Sequence, residues 1–299
     1  MLSILECVPN ISEGRRDEVV QACAAAVRAV SGVTLMDVSS DRDHNRSVLS
    51  FLGAPEAVAE AAAALACVCA EKIDLTHHEG KHPRMGALDV VPFIPLRGMT
   101  LEEASQWANR AGEAIWQRSG IPVFLYEASA TAPHRQNLAD VRRGGFEGLA
   151  EKTKLPEWQP DFGQGFHPTA GAAAVGARKP LIAYNILLST SDLSIAKQIA
   201  RTIRASSGGL ACVKALGIAL ESRGLAQVSI NMTDFTVTPL YRVVELVRAE
   251  ARRWGVTIVS TELIGLTPMR ALADSAAYYL QLENYNFDKQ VLENYLLEE

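Results

Sequence analysis

No two cysteines stand in C-x-x-C spacing, although the chain holds five, Cys7, Cys23, Cys67, Cys69 and Cys212. A zinc ribbon and a thioredoxin-type redox motif are thereby excluded. The odd count and the apolar runs around most of these residues suit free thiols inside a cell. No run of about 18 apolar residues occurs, so no transmembrane helix is expected. The N-terminal MLSILECVPNISEGRR is interrupted by Glu6 and Pro9 and lacks a basic leader, so it does not read as a signal peptide. A basic surplus is missing too: 29 Lys and Arg against 34 Asp and Glu leave a net charge of −5. That argues against a general nucleic-acid binder, while a local cationic pocket for a small anion stays open. The phosphate-loop pattern G-x-x-x-x-G-K-S/T is absent. Nor does the glycine-rich stretch around residue 165 form G-x-G-x-x-G, because Pro168 stands where the third glycine would.

The 299 residues, 48% hydrophobic and 21% charged, suit a soluble globular chain of one large or two smaller domains. Strand and helix periodicities alternate. Ser3–Val8, Val33–Val38, Arg46–Leu52, Asp89–Ile94 and Pro122–Tyr126 read as strands. Helices are expected over Glu18–Val30, Glu56–Lys72 and Thr100–Arg118, the last opened by a Thr100/Glu103 capping box. Beyond Pro180 the order recurs: strand to Leu188, helix from Asp192 to Arg204, strands over Cys212–Leu220 and Ala226–Met232, helix from Pro239, strand over Val256–Thr261, helix from Pro268 and a short helix in the tail. Each half thus contains β-α-β-β-α-β, the ferredoxin-like arrangement. The expected architecture is α/β (α+β), two such subdomains over residues 1–178 and 179–299, each a sheet covered by helices, with a ligand groove between them. Pro133–Gly176 reads as an irregular connection.

Three constellations carry chemistry. In Thr76-His77-His78-Glu79-Gly80-Lys81-His82-Pro83-Arg84-Met85-Gly86, three of the six histidines fall within six residues. The literal H-E-x-x-H pattern at His78, Glu79 and His82 needs a helix to present both imidazoles, and Gly80 and Pro83 oppose one, so no metal is expected. The other readings are a merely solvated polar loop and an acid/base loop, with Lys81 and Arg84 attracting an anion. The second constellation, Asp37 to Arg46, is a polar turn from Ser39 to Asn45. It is either plain turn chemistry or a carboxylate pair that orients a histidine or a cation. The third, Asp161 to Gly171, interleaves glycines, which admit a ligand close to the backbone, with aromatics able to stack on a flat ring.

Together ECVPNISEGRR (Glu6–Arg16), DHNRSV (Asp43–Val48), KHPRMGALDVVPFIP (Lys81–Pro95), PDFG (Pro160–Gly163), GARKPLIAYNI (Gly176–Ile186) and AQVSINMTDF (Ala226–Phe235) resemble the formiminotransferase family, from the N-terminus to about residue 272. The resemblance implies two α/β subdomains with folate in the groove between them, usually a homodimer. It also implies transfer of the formimino group from N-formimino-L-glutamate to the 5-nitrogen of tetrahydrofolate, the co-substrate, in histidine degradation. His82 matches the catalytic histidine. Gly163, Gln164, Gly165, Phe166, His167, Pro168, Thr169, Ala170 and Gly171 match the folate-binding segment, one residue shorter here than in the animal enzymes. Ser39 stands where animal members carry an aspartate near that histidine, which leaves Asp41 or Asp43 to replace it or the histidine to work unaided. Asp43, Arg46, Lys81, Arg84 and Arg178 are the candidates for holding substrate, the cations for its carboxylates. The animal protein continues into a cyclodeaminase domain; with the chain ending at Glu299, that second activity is expected to be absent. Small-molecule substrates, no nucleic acid, no membrane and a cytoplasmic location complete the expectation. Two rivals stand beside it: another donor on the same scaffold, formiminoglycine or 5-formyltetrahydrofolate, and a folate-binding protein without turnover.

Overall fold

The computed structural model describes residues 3–80, 83–220 and 223–296. The chain divides into two compact units, Met1–Lys179 and Pro180–Glu299.

The first unit begins with β1 (Ile4–Cys7), β2 (Asn10–Ile11), α1 (Asp17–Arg28), β3 (Val33–Asp41), β4 (Arg46–Gly53), α2 (Pro55–Lys72) and β5 (Leu88–Arg97). The strands pair antiparallel in the order β5, β1, β4, β3, with β2 continuing the line of β1 after a break at Val8-Pro9. This is the ferredoxin-like sheet order. The unit then goes beyond the expected β-α-β-β-α-β. α3 (Leu101–Ser119) leads to β6 (Val123–Leu125), and after α4 (Leu138–Val141) and α5 (Leu149–Lys152) comes β7 (Ala173–Ala177). β7 runs parallel to both β5 and β6, which completes a seven-stranded sheet.

Local chemistry explains the helices. α3 starts on the full capping box, Thr100 receiving the N–H of Glu103 at 3.2 Å and Glu103 the N–H of Thr100 at 2.7 Å, and ends at Gly120 with φ 72°. α2 is alanine-rich on its buried faces, so α1 and α3 approach closely. There Cys23 and Cys69 meet with their Sγ atoms 4.0 Å apart, both free thiols. Leu5, Cys7, Leu49, Phe51, Val91 and Phe93 bury the helix side of the sheet. On the other face Met85, Val90, Phe124 and Tyr126 pack under Val141 and Leu149, so the expected irregular connection is a folded cover. Pro92 is tolerated inside β5 because the neighbouring strand is interrupted opposite it, where Val8 donates to the Pro92 carbonyl.

The second unit contains β8 (Ile182–Leu188), α6 (Leu193–Ile203), β9 (Val213–Leu220), β10 (Leu225–Met232), α7 (Leu240–Arg253), β11 (Ile258–Ile264) and α8 (Met269–Leu280). The four strands pair antiparallel in the order β11, β8, β10, β9, again the ferredoxin-like order. Asp192 caps α6 through the N–H of Ser194 at 2.8 Å. Ile199 and Ile203 of α6 and Val243 and Val247 of α7 share a core with Ile186, Val228 and Ile230 of the sheet. The expected single tail helix is two short ones, α9 (Phe287–Gln290) and α10 (Glu293–Leu296). No helix among the described residues is long and apolar enough to cross a membrane.

Candidate active site

The connection from α2 to β5 carries the histidines. Asp74 accepts the N–H of Thr76 at 2.9 Å and its hydroxyl at 2.6 Å, and this winds Leu75–His77 into one 3-10 turn. From His78 to Gly80 the chain is not helical. His78 donates from Nε2 to the Asn45 carbonyl at 3.0 Å, and its Nδ1 accepts from Arg84 Nε at 3.1 Å. Both ring nitrogens are therefore engaged, and His78 is not presented on a helix as H-E-x-x-H chemistry requires. Arg84 also forks onto Glu147 at 2.7 and 3.1 Å; those hydrogen bonds are the main reason the Glu147 carboxyl is held below its ordinary range. Lys81 and His82 lie outside the described residues. The segment after them is tied down at once. The Pro83 carbonyl accepts from Arg142, and the Met85 N–H binds Asp89 at 2.8 Å. Asp89, 2% exposed, pairs with Arg142 at 2.7 Å.

The β3–β4 hairpin abuts this loop. β3 runs on to Asp41, so Ser39 is an exposed strand residue and not the start of the turn. The polar pair Ser40 and Ser47, hydroxyls 2.8 Å apart, carries the ladder through a stretch that reads as turn. At the tip Asp41 accepts the His44 N–H at 2.9 Å and engages its Nδ1 at 2.6 Å. Burial works to raise the Asp41 carboxyl, but these bonds outweigh it and hold it below the ordinary value. Of the two replacements for the missing aspartate, Asp41 is thus committed to His44, and Asp43 is exposed at the tip. Arg46 opens β4 opposite Asp41 and senses Asp89 and Arg142. Burial pushes it down to about 10; Asp89 opposes that shift and Arg142 adds to it.

A third segment joins here, the end of Glu6–Arg16, which carries the resemblance in the sequence but has no role assigned there. Glu13, 3% exposed, receives the N–H groups of Gly14 at 3.1 Å, Arg15 at 2.9 Å and Arg16 at 3.0 Å on one carboxylate oxygen, just before α1. Its other oxygen takes Arg16 Nε at 2.5 Å. Burial would raise this carboxyl, yet the Arg16 and Arg15 N–H groups and the Arg16 side chain outweigh it and lower it. Gly14 must be glycine, since a Cβ there would stand 2.5 Å from the Asp41 carbonyl. Its N–H binds Asn45 Oδ1 at 2.9 Å. A cavity of about 360 Å³ opens where these segments meet, lined by Glu13, Arg15, Asn45, Asp74, His77 and His78 among others.

The glycine-rich loop closes the arrangement. Its end is a tight turn: His167 and Gly171 exchange N–H···O bonds at 2.7 and 2.9 Å, while His167 Nδ1 accepts the Ala170 N–H at 3.0 Å. The Thr169 carbonyl takes the Leu75 N–H and the Ala170 carbonyl the Ala87 N–H, each at 2.8 Å. The loop is therefore sewn to both ends of the histidine connection. Within it the residues divide by role. Ala170 and Gly171 are buried, and Ala170 has spent both its backbone groups. Gly163, at φ 89°, exists because a Cβ would come 2.7 Å from the Trp116 ring. Phe166 meets Phe146 edge-on at 6.3 Å. Gln164 and Pro168 are exposed, and Gly165 has nothing within 4 Å of where a Cβ would be. That leaves Gln164 to Pro168 as the part of the loop that presents groups outward.

Arg178 is not brought to this cluster. Its N–H binds the Phe93 carbonyl at 3.0 Å, and its charge acts on Glu6 and Tyr126. Phe93 lies four residues along β5 from Asp89, roughly 13 Å away.

Comparisons with known proteins agree along the chain. The family described as formiminotransferase domain, N-terminal subdomain, matches residues 4–178, and that described as formiminotransferase domain matches residues 183–294. A Streptococcus pyogenes protein named glutamate formimidoyltransferase is 49% identical over 298 residues, which cover 99% of this chain and 100% of that one. A Thermoplasma acidophilum protein of the same name is 44% identical, over 95% of both chains. The mouse formimidoyltransferase-cyclodeaminase is 44% identical over 95% of this chain, which spans 53% of the mouse protein.

Proposed function

The chain belongs to the formiminotransferase family, and we propose that it does so as a glutamate formimidoyltransferase whose proton carrier is His82. The enzyme moves the formimino group of N-formimino-L-glutamate to the 5-nitrogen of tetrahydrofolate, giving 5-formiminotetrahydrofolate and L-glutamate. The full-length 49% identity to a stand-alone protein of that name carries the reading.

The chemistry asks for little. The folate nitrogen adds to the amidine carbon, forming a tetrahedral adduct. That nitrogen then gives up its proton, the C–N bond to glutamate breaks, and the glutamate nitrogen gains a proton. One imidazole serves as base and then as acid, which suits a histidine near neutral pH. The clamped segments before and after Lys81-His82 support that assignment, because a general base works only from a fixed position. Arg46, Lys81 and Arg84 are the cations for the donor's carboxylates. Arg84 reaches them by exchanging its partner Glu147, a largely exposed carboxylate. The outward part of the loop, Gln164 to Pro168, receives the pterin, and Gly163, Thr169, Ala170 and Gly171 hold that part in shape. Arg178, beside Glu6 and Tyr126, serves a more distant part of the substrate.

Residues 1–178 form the subdomain that carries the catalytic histidine, and residues 179–299 form the C-terminal subdomain of the transferase. The enzyme works in the cytoplasm, in keeping with its free, mostly buried thiols, and as a homodimer, for which the exposed Leu272, Tyr278 and Leu280 of α8 offer apolar surface.

The test is chelator-treated protein with formiminoglutamate and tetrahydrofolate, product being read as the absorbing methenyl form after acid. His82→Ala should lower turnover about 10²–10⁴-fold and spare folate affinity. Turnover with formiminoglycine or 5-formyltetrahydrofolate alone would move the protein to another donor, and folate binding with no transfer would make it a binding protein.

A further inference from the structure

Asn45 is a buried amide, 8% exposed, in the left-handed conformation at φ 50° that asparagine tolerates better than most residues. Each of its polar groups leaves the hairpin for another segment. Oδ1 accepts the Gly14 N–H at 2.9 Å, Nδ2 donates to the Glu79 carbonyl at 3.0 Å, and the backbone carbonyl accepts from His78 Nε2 at 3.0 Å. The loop lies flat against the hairpin tip here. A Cβ on Gly80 would stand 2.3 Å from the His44 carbonyl and 3.1 Å from Asn45 Cβ. Gly14 is in turn fixed by the buried Glu13 carboxylate. The Asn45 side chain thus ties the segment before α1 and Glu79 to the hairpin tip, and its backbone carbonyl adds His78.

We propose that Asn45 is the positioning residue of the histidine loop: its side chain holds Glu79 against the hairpin, and turnover through His82, three residues further on, depends on that anchor. The proposal rests on His82 being the proton carrier. Asn45 acts on turnover through His82.

The experiment uses the full chain with Asn45→Asp, Asn45→Gly and His82→Ala, and with Asn45→Asp combined with His82→Ala. Asn45→Asp keeps the acceptor for Gly14 and the shape, but a carboxylate cannot donate to the Glu79 carbonyl. Asn45→Gly keeps the left-handed backbone and removes both side-chain bonds. In both, kcat should fall about 10- to 100-fold, the scale of a reacting group displaced by about 1 Å, with KM for tetrahydrofolate changed less than about threefold. Asn45→Asp also sets a buried carboxylate against the Glu79 carbonyl and should melt lower than the parent, so kcat is read at a temperature where each variant is still folded, which separates a positioning role from loss of the fold. In the His82→Ala background Asn45→Asp should cost nothing further, because an effect transmitted through an imidazole ends with it. Unchanged kcat in Asn45→Asp, or a loss that multiplies with that of His82→Ala, overturns the proposal. Parental turnover of His82→Ala overturns the assignment of His82 itself, and that result is read without any Asn45 variant.

Discussion

The Asp89–Arg142 pair offers a sharp test of how the histidine loop is anchored. Asp89 sits at the start of β5, receives the Met85 N–H at 2.8 Å, pairs with Arg142 at 2.7 Å and faces Arg46. Asp89→Asn keeps the volume and an acceptor for Met85 but turns an N–H₂ group toward the Arg142 donors. Arg142 then stands beside Arg46 without the Asp89 charge that balanced it. Breaking a buried pair costs about 3–5 kcal/mol. The Arg142 side chain keeps 14% exposure, so some water reaches it and the lower end, about 3 kcal/mol, applies. At about 2–4 °C per kcal/mol for a unit of this size, melting of the first unit should drop roughly 6–12 °C. Urea unfolding followed by a probe in that unit gives the free energy directly, and turnover should fall with it because Arg142, which holds the Pro83 carbonyl, loses its partner. Arg142→Met in the Asp89→Asn background should recover part of the stability, since no charge is then left without its partner, though the Pro83 contact stays lost. A loss under about 1 kcal/mol, the range of an exposed pair, would refute the reasoning.

Glu13→Gln should destabilise the protein at neutral pH and make no difference in acid. The Glu13 carboxyl is lowered in the folded state, so its contribution is present above the unfolded value of about 4.3 and is lost as pH falls through the folded value. Urea midpoints of the two proteins should converge on acidification, and a gap independent of pH would contradict this. Gly171→Ala and Gly165→Ala form a contrasting pair. Both glycines have positive φ, 70° and 60°, but a Cβ on Gly171 would stand 2.1 Å from the Met85 carbonyl while Gly165 has open space. Gly165→Ala should cost only the left-handed conformation, about 1–2 kcal/mol. Gly171→Ala should melt lower still and weaken tetrahydrofolate binding by calorimetry, and equal melting of the two variants would exclude the close approach as the cause.

Much of this arrangement is visible in the sequence because periodicity and capping are local. The Thr100/Glu103 box, the Ser31-Gly32 stop and the alternation of Arg46–Leu52 needed no partner to be read. β7 escaped because Ala-Ala-Val-Gly-Ala has a single β-branched residue, Val175, and no alternation. It is a strand since β5 and β6 flank it and both its faces are buried, which is a tertiary circumstance. Ser39 and Ser40 read as turn for the opposite reason: their local preference yields to the Ser40–Ser47 pairing. The histidine loop and the hairpin tip declare themselves by density of polar groups. Glu13 and Asn45 do not, because their meaning lies in hydrogen bonds to residues some 30 positions away. The folate loop was legible as a unit but not in its division between residues that hold the turn and residues that face outward, which depends on Trp116 and Met85 arriving from elsewhere in the chain.

The five unpaired cysteines have a use that no disulfide could give them. Burial, joined by the nearby Glu6 charge at one and by neighbouring thiols at the other, raises the Cys7 and Cys69 thiols well above their ordinary value. The thiolate is the species that alkylates, so a labelling reagent finds almost none of it at these positions while the first unit is closed. Their modification rate counts openings of that unit, residue by residue, under conditions where the enzyme is still native. Cys212 sits partly exposed in the second unit. Cys67 of the first unit is partly exposed as well, so mass spectrometry of one timed labelling reaction separates direct labelling at Cys67 and Cys212 from the slow, opening-limited labelling of Cys7 and Cys69, with no engineered reporter.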